Sequence, residues 1–161
     1  MANELTFGDL GRIFERAADD MPAIDEAILE MLGERIRDRA KSYLGVPQII
    51  GHGGFPPWAP LAASTLAQKG QVAPGTPLEE SGALGDSIEF ERISPITVAI
   101  GSNLLSERGE PYPKYLEEGT ADMPPRPYLH PAAIEVVAES LDDIGDAIVS
   151  GVGGLGTYRG R

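Results

Sequence analysis

The side chains best suited to chemistry are the adjacent carboxylates Glu117 and Glu118, the two histidines His52 and His130, and Arg126. Paired-carboxylate hydrolysis needs two acids converging across one bond, and adjacent residues point apart. His52 stands between Gly51 and Gly53, open enough for a general base or a metal ligand. Neither it nor His130 has a second histidine or a carboxylate at ligand spacing. With no cysteine, thiolate nucleophiles, thiolate–metal sites and disulfides are excluded together. The pattern predicts no catalytic residue, no metal and no cofactor, with a hydrolase using Glu117, Glu118 or His130 as the remote alternative.

Most of these residues fall in one stretch, Pro111–Ala133, whose composition suits docking and chain direction better than bond-making. Gly119 is free to take a positive φ at a corner, and Thr120 can tie that corner through its hydroxyl. Pro124, Pro125 and Pro127 stiffen the arm that follows, so little entropy is lost when it docks. Tyr112, Tyr115 and Tyr128 offer large amphipathic surfaces, and Arg126 offers a bidentate fork for a carboxylate. Two readings stay open: the arm grips another molecule, or Tyr115, Tyr128 and Leu129 cap the chain's own core while Arg126 pairs with Glu117 or Glu118.

The elements that position this stretch are legible from periodicity. Leu10, Ile13, Phe14, Ala17, Ala18 and Met21 predict a short first helix, with Thr6 and Asp9 at capping-box spacing and Pro22 as its break. A longer helix follows over 24–44, closed by Gly45, with acids early and Arg35, Arg37, Arg39 and Lys41 late along the macrodipole. Residues 46–60 read as a long Gly/Pro loop, 58–69 as an aromatic anchor and a short helix, and 71–76 as a linker. Alternation of Ile88 and Phe90 with Glu89 and Glu91, then of Ile96, Val98 and Ile100, predicts a hairpin over 87–101 turning at Ser94-Pro95. The loop 102–110 is polar and reads as mobile. After Pro131, Ile134, Val137, Ala138, Leu141, Ile144 and Ile148 predict the buried face of a last helix over 131–149. Glu135, Glu139, Asp142, Asp143 and Asp146 form its opposite, solvated or partner-facing side.

The predicted fold is α+β: a small antiparallel sheet built on the long hairpin, packed against two long helices on one face, with extended loops or arms. Further strands could come from the Tyr112 or Gly/Pro segments. A length of 161 residues, 42% hydrophobic and 24% charged, suits a single domain over 1–150 with a flexible tail over 151–161. The net charge of −12 repels phosphate backbones, so specific nucleic-acid binding is not expected. The start MANELTFGDL has no basic region followed by an apolar run, and no stretch approaches membrane-spanning length, which leads us to expect a protein made in the cytoplasm.

Two segments and the helix that follows them carry a resemblance. WAPLAASTLAQK followed by LEESGALGDSI resembles the pattern of Mu-like phage virion-morphogenesis proteins at Trp58, Leu61, Thr65, Lys69, Leu78, Ser81, Gly82, Leu84, Ser87 and Ile88. YPKYLEEGTADMPPRPYLHPAA is similar to the run of tail-completion and head–tail connector (neck) proteins of long-tailed phages. There the matching residues are Tyr112, Tyr115, Glu117, Gly119, Thr120, Met123, Pro124, Arg126, Pro127, Tyr128, Leu129, Pro131 and Ala132. The resemblance implies a structural virion protein without a catalytic centre, acting as a ring-forming subunit at the head–tail junction or the top of the tail. It implies homo-oligomeric contacts and other neck and tail proteins as partners, among them connector, tail terminator or tail tube. DNA at most passes through the lumen, and no membrane is involved. A non-virion assembly factor for tail or head–tail joining is the alternative. The acidic last helix and the basic cluster Arg35–Lys41 offer the two complementary surfaces that a ring needs.

Overall fold

A computed structural model describes residues 7–106 and 108–153. Helix α1 spans Phe7–Tyr43, a 37-residue rod about 55 Å long. Then come α2 (Ala63–Gln68), α3 (Ala83–Ser87), β1 (Ile88–Ser94), β2 (Thr97–Ser102), α4 (Tyr112–Glu118), α5 (Leu129–Glu139) and α6 (Leu141–Gly153). The class is α+β, with helices packed against a two-stranded antiparallel sheet. Among the described residues, no helix is long and apolar enough to cross a membrane.

The expected break at Pro22 does not occur, and α1 runs through it. A proline removes one helical hydrogen bond and crowds the preceding turn, which can be tolerated where its ring faces solvent, as Pro22 does. Of the expected capping box, Thr6 lies outside the described residues.

The hairpin pairs in the register Phe90↔Ile100, with a slip between Arg92 and Ser94. Ile96 sits in the turn, exposed, and not in the strand. The sheet lies against α1 because Gly33 has no side chain there. A Cβ at Gly33 would come within 2.6 Å of the Phe90 ring. Arg37 places its guanidinium over the same ring, 5.5 Å from the centroid, and Arg92 forms an ion pair with Glu26 farther along.

The last helix is two helices. Its first turn starts at Leu129, before Pro131, where a proline needs no amide partner, and it breaks at Ser140 into α5 and α6. Residues 151–153 of the expected tail continue α6, and 154–161 lie outside the described residues. Both helices pack antiparallel on α1, which itself lies against the sheet. The buried seam is made of Ile36, Ala40 and Tyr43 against Ala132, Val136, Ser140 and Ala147, mostly small residues that let the axes approach. Tyr112–Glu118, considered for a strand, is helix α4.

The core joins Ala40 and Tyr43 of α1, Leu84, Ile88, Leu116 of α4, and Tyr128 and Ala132 of the arm and α5. Among the described residues, Tyr128 is the largest fully buried side chain. The arm therefore closes this chain's own core, one of the two readings that the sequence left open.

Candidate interaction site

The corner behaves as its residue types suggest. Gly119 has φ 75°, and a Cβ there would come within 2.8 Å of the Pro125 nitrogen and 2.9 Å of the Met123 oxygen. The Thr120 amide donates to the Met123 carbonyl at 2.8 Å, and the Thr120 hydroxyl accepts from the Met123 amide at 3.1 Å. The arm then docks on α4 through the Arg126 amide, which donates to the Leu116 carbonyl at 2.7 Å.

The adjacent acids diverge. Glu118 is exposed, with Lys114 3.9 Å away, while Glu117 turns inward. Its carboxylate accepts from the Tyr128 and Leu129 amides at 2.8 and 2.6 Å and lies 2.7 Å from His130 Nδ1. An anion on the free amides of the first turn of α5 is a helix cap, and it commits Glu117 and His130 to each other. His52 is engaged similarly, 3.1 Å from Glu135, with its ring tilted on Tyr43.

Glu135 is the hub that the sequence reading missed. It accepts from the Tyr43 hydroxyl at 2.6 Å, Arg39 at 2.8 Å and the Gly53 amide at 3.0 Å, besides His52. Burial works to raise its pKa, but the donors together hold it below the usual carboxylate value. Burial and the bond to Glu135 push the Tyr43 phenol up to about 12. The same face carries Arg39–Glu139 at 2.8 Å and Arg35–Asp143 at 3.0 Å. This overturns two expectations. Glu135, Glu139 and Asp143 pair with α1, although Glu139 keeps one side in solvent, while Asp142 and Asp146 stay exposed as expected. Of the basic cluster, Arg35 and Arg39 are engaged by these acids and Arg37 by its neighbour Asp38. The signal was present as two ladders at helical spacing, Arg35/Arg39 and Glu135/Glu139/Asp143, which mate when the helices run antiparallel.

The inversion leaves apolar residues outside. Ile134, Val137, Leu141, Ile148 and Val149 are exposed along α5 and α6. A second apolar patch, Val46, Ile49 and Ile50, follows the C-terminal end of α1. The loop that carries it is pinned, with Gln48 buried and its carbonyl accepting from the Trp58 amide at 2.9 Å.

Arg126 does not pair with Glu117 or Glu118. Its Nη2 donates to the Ala59 and Pro60 carbonyls at 3.1 and 3.3 Å, and Trp58 Nε1 donates back to the Pro127 carbonyl at 3.0 Å. The arm and the 46–60 loop are thus fastened side chain to backbone in both directions. Arg126 is 7% exposed, its Nε has no hydrogen-bond partner, and burial pulls its pKa down.

Arg126 lines an open groove of about 660 Å³. Of the residues singled out in the sequence, Leu61, Leu78, Ser81, Gly82, Leu84, Tyr112, Met123, Pro124 and Arg126 meet along its wall. Trp58, Glu117, Gly119, Thr120, Pro127, Tyr128, Leu129 and Pro131 do not line it. Trp58, Glu117, Gly119, Thr120 and Pro127 instead hold the arm through the bonds described above, and Tyr115 is half-buried on α4 outside the groove. Among the described residues, no group of three or more histidines and acids is placed to hold a metal ion. No family model matches the chain, and neither a curated protein nor a solved structure was found to be similar to it.

Proposed function

We propose that the protein is a structural, non-enzymatic subunit of a tailed-phage virion, forming a homo-oligomeric ring at the head–tail junction or the top of the tail. The observation that carries this reading is the inverted polarity of α5 and α6. Glu135, Glu139 and Asp143 are spent on α1, and the apolar residues Ile134, Val137, Leu141, Ile148 and Val149 stand in water. An apolar stripe of that length is unfavourable in an isolated subunit and favourable in an assembly.

A closed ring needs two different surfaces on each subunit. The α5–α6 stripe and the Val46/Ile49/Ile50 patch replace the acidic and basic pair suggested by the sequence, and Ile49 is 81% exposed. The resemblance of the Trp58–Ile88 and Tyr112–Ala132 segments to connector and tail-completion proteins supplies the location in the virion. On this reading the protein is made in the host cytoplasm, contacts other neck or tail proteins, and meets DNA only in the lumen.

Light scattering of the purified protein together with cryo-electron microscopy of the particle neck tests the reading. Discrete multimers and ring density in the neck support it. A monomer at all concentrations, in particles whose neck lacks the protein, overturns it.

A further inference from the structure

The groove beside Arg126 has a wall chemistry that the ring does not use. Leu61, Leu78, Leu84, Leu104, Leu105 and Met123 make it largely apolar, and its volume lies in the range of small-ligand and short-peptide sites. At its base a cationic side chain is almost wholly removed from water and faces no carboxylate. A guanidinium has five N–H donors, and here only Nη2 is engaged, by two carbonyls. Nε is sealed from solvent without a partner, whereas Nη1, with no hydrogen bond among the described residues, is not sealed and is the donor open to a ligand. A mostly buried charge without a counter-ion is costly until an anion joins it, and a carboxylate can accept a charge-assisted bond from Nη1.

We propose that this groove binds an extended segment of a partner protein, which lays leucine-like side chains along the apolar wall and sets one carboxylate on Arg126. Glu79, Glu80 and Asp122 also line the groove and are exposed, so the mouth disfavours further acids and suits a basic flank on the segment. The Lys69 ammonium cannot compete for the carboxylate, because it is held by the carbonyls of Thr76, at 2.8 Å, and Glu79. The ligand class is therefore narrow: apolar, extended, with one central acid and a cationic end. This site goes beyond the ring reading and does not depend on it.

The probe is the full chain, ¹⁵N-labelled, titrated with acetyl-Ala-Leu-Glu-Leu-Lys-amide and with versions carrying Gln or Lys in place of Glu. The expected result is a shift of the Arg126 Nε–H signal and binding of the Glu peptide about ten-fold or more tighter than the Gln peptide, the difference of a charge-assisted pair. That preference disappears in Arg126→Gln. Leu105→Asp, at a mouth residue 59% exposed, weakens binding without moving the unfolding midpoint. If Arg126→Gln does not fold, the Nε–H shift and Leu105→Asp decide the matter. Equal binding of the Glu and Gln peptides, no binding of any peptide, or an undisturbed Nε–H signal overturns the proposal. Light scattering on the same samples separates the two readings: peptide binding by a chain that forms no ring sinks the ring alone, whereas rings dissolved by the peptide mean that the groove is a self-contact and overturn the separate partner.

Discussion

The carboxylate of Glu117 lies 2.6 Å from the main-chain nitrogen of Leu129, so the last turn of α4 caps the first turn of α5 across the whole proline arm. Corner, arm and helix are thereby one closed unit.

Glu117→Ala is expected to reduce stability by about 2 kcal/mol, the upper range for a lost cap, because two strong amide bonds go at once. Glu117→Gln keeps one acceptor and loses the charge, and about 1 kcal/mol is expected. Urea unfolding measures both. Equal stability of Glu117→Ala and the wild type would remove the cap from the account.

Glu135 makes stability depend on acid. Its folded pKa is depressed by Tyr43, Arg39, His52 and the Gly53 amide against the opposing effect of burial, so its contribution is fully present above its ordinary value of 4.5. That contribution fades as the pH falls through the lower, folded value. Glu135→Gln is expected to flatten this limb of the stability–pH curve. At the alkaline end the sign reverses. The Tyr43 phenol is raised from 10.0 to about 12, so its contribution is present below pH 10 and lost as the pH rises toward 12. Tyr43→Phe should remove that alkaline slope, and denaturant midpoints across the pH range check both limbs.

These two nodes mark where the sequence could be read and where it could not. The corner at Gly119-Thr120, the hairpin and the helical character of 24–44 and 131–149 were visible because backbone freedom and periodicity are local properties, whereas the continuity of α1 through Pro22 and the break at Ser140 were not. The inward face of α5 was not, because apolar periodicity assigns burial by residue type alone. It gave the interior to Ile134, Val137 and Leu141, whereas Arg35 and Arg39 on α1 drew Glu135, Glu139 and Asp143 inward. One of the two readings left open for Arg126, a pair with Glu117 or Glu118, fails for a similar reason. Glu117 is its neighbour in sequence but is committed to α5, and the carbonyls that hold Arg126 belong to Ala59 and Pro60, far away in the chain.

Gly53 and Gly119 should tolerate no side chain. At Gly53, φ is 54° and a Cβ would fall 2.6 Å from the Pro131 Cα. At Gly119 it would meet the Pro125 and Met123 backbone. Each alanine substitution combines left-handed strain with a backbone collision, and a loss of about 2 to 3 kcal/mol is expected. Gly54, with φ 83° and open space around it, is the control, because it carries the strain alone and should lose about 1 kcal/mol. Thermal unfolding of the three variants orders them.

The apolar stripe gives the sharpest contrast between fold and assembly. Leu141 is 61% exposed and Val136 is buried in the seam with α1. Leu141 is mostly exposed, so Leu141→Glu should keep its unfolding free energy within about 0.5 kcal/mol of the parent. If the stripe is the ring contact, the same change places a desolvated charge in the interface, and multimers should give way to monomers. Val136→Glu buries an unpaired charge inside the subunit and should unfold it at any concentration. Sedimentation and unfolding of the two variants side by side separate the faces: loss of multimers without loss of stability in Leu141→Glu assigns the stripe to assembly, and retained multimers in a folded Leu141→Glu move the ring contact elsewhere on the subunit.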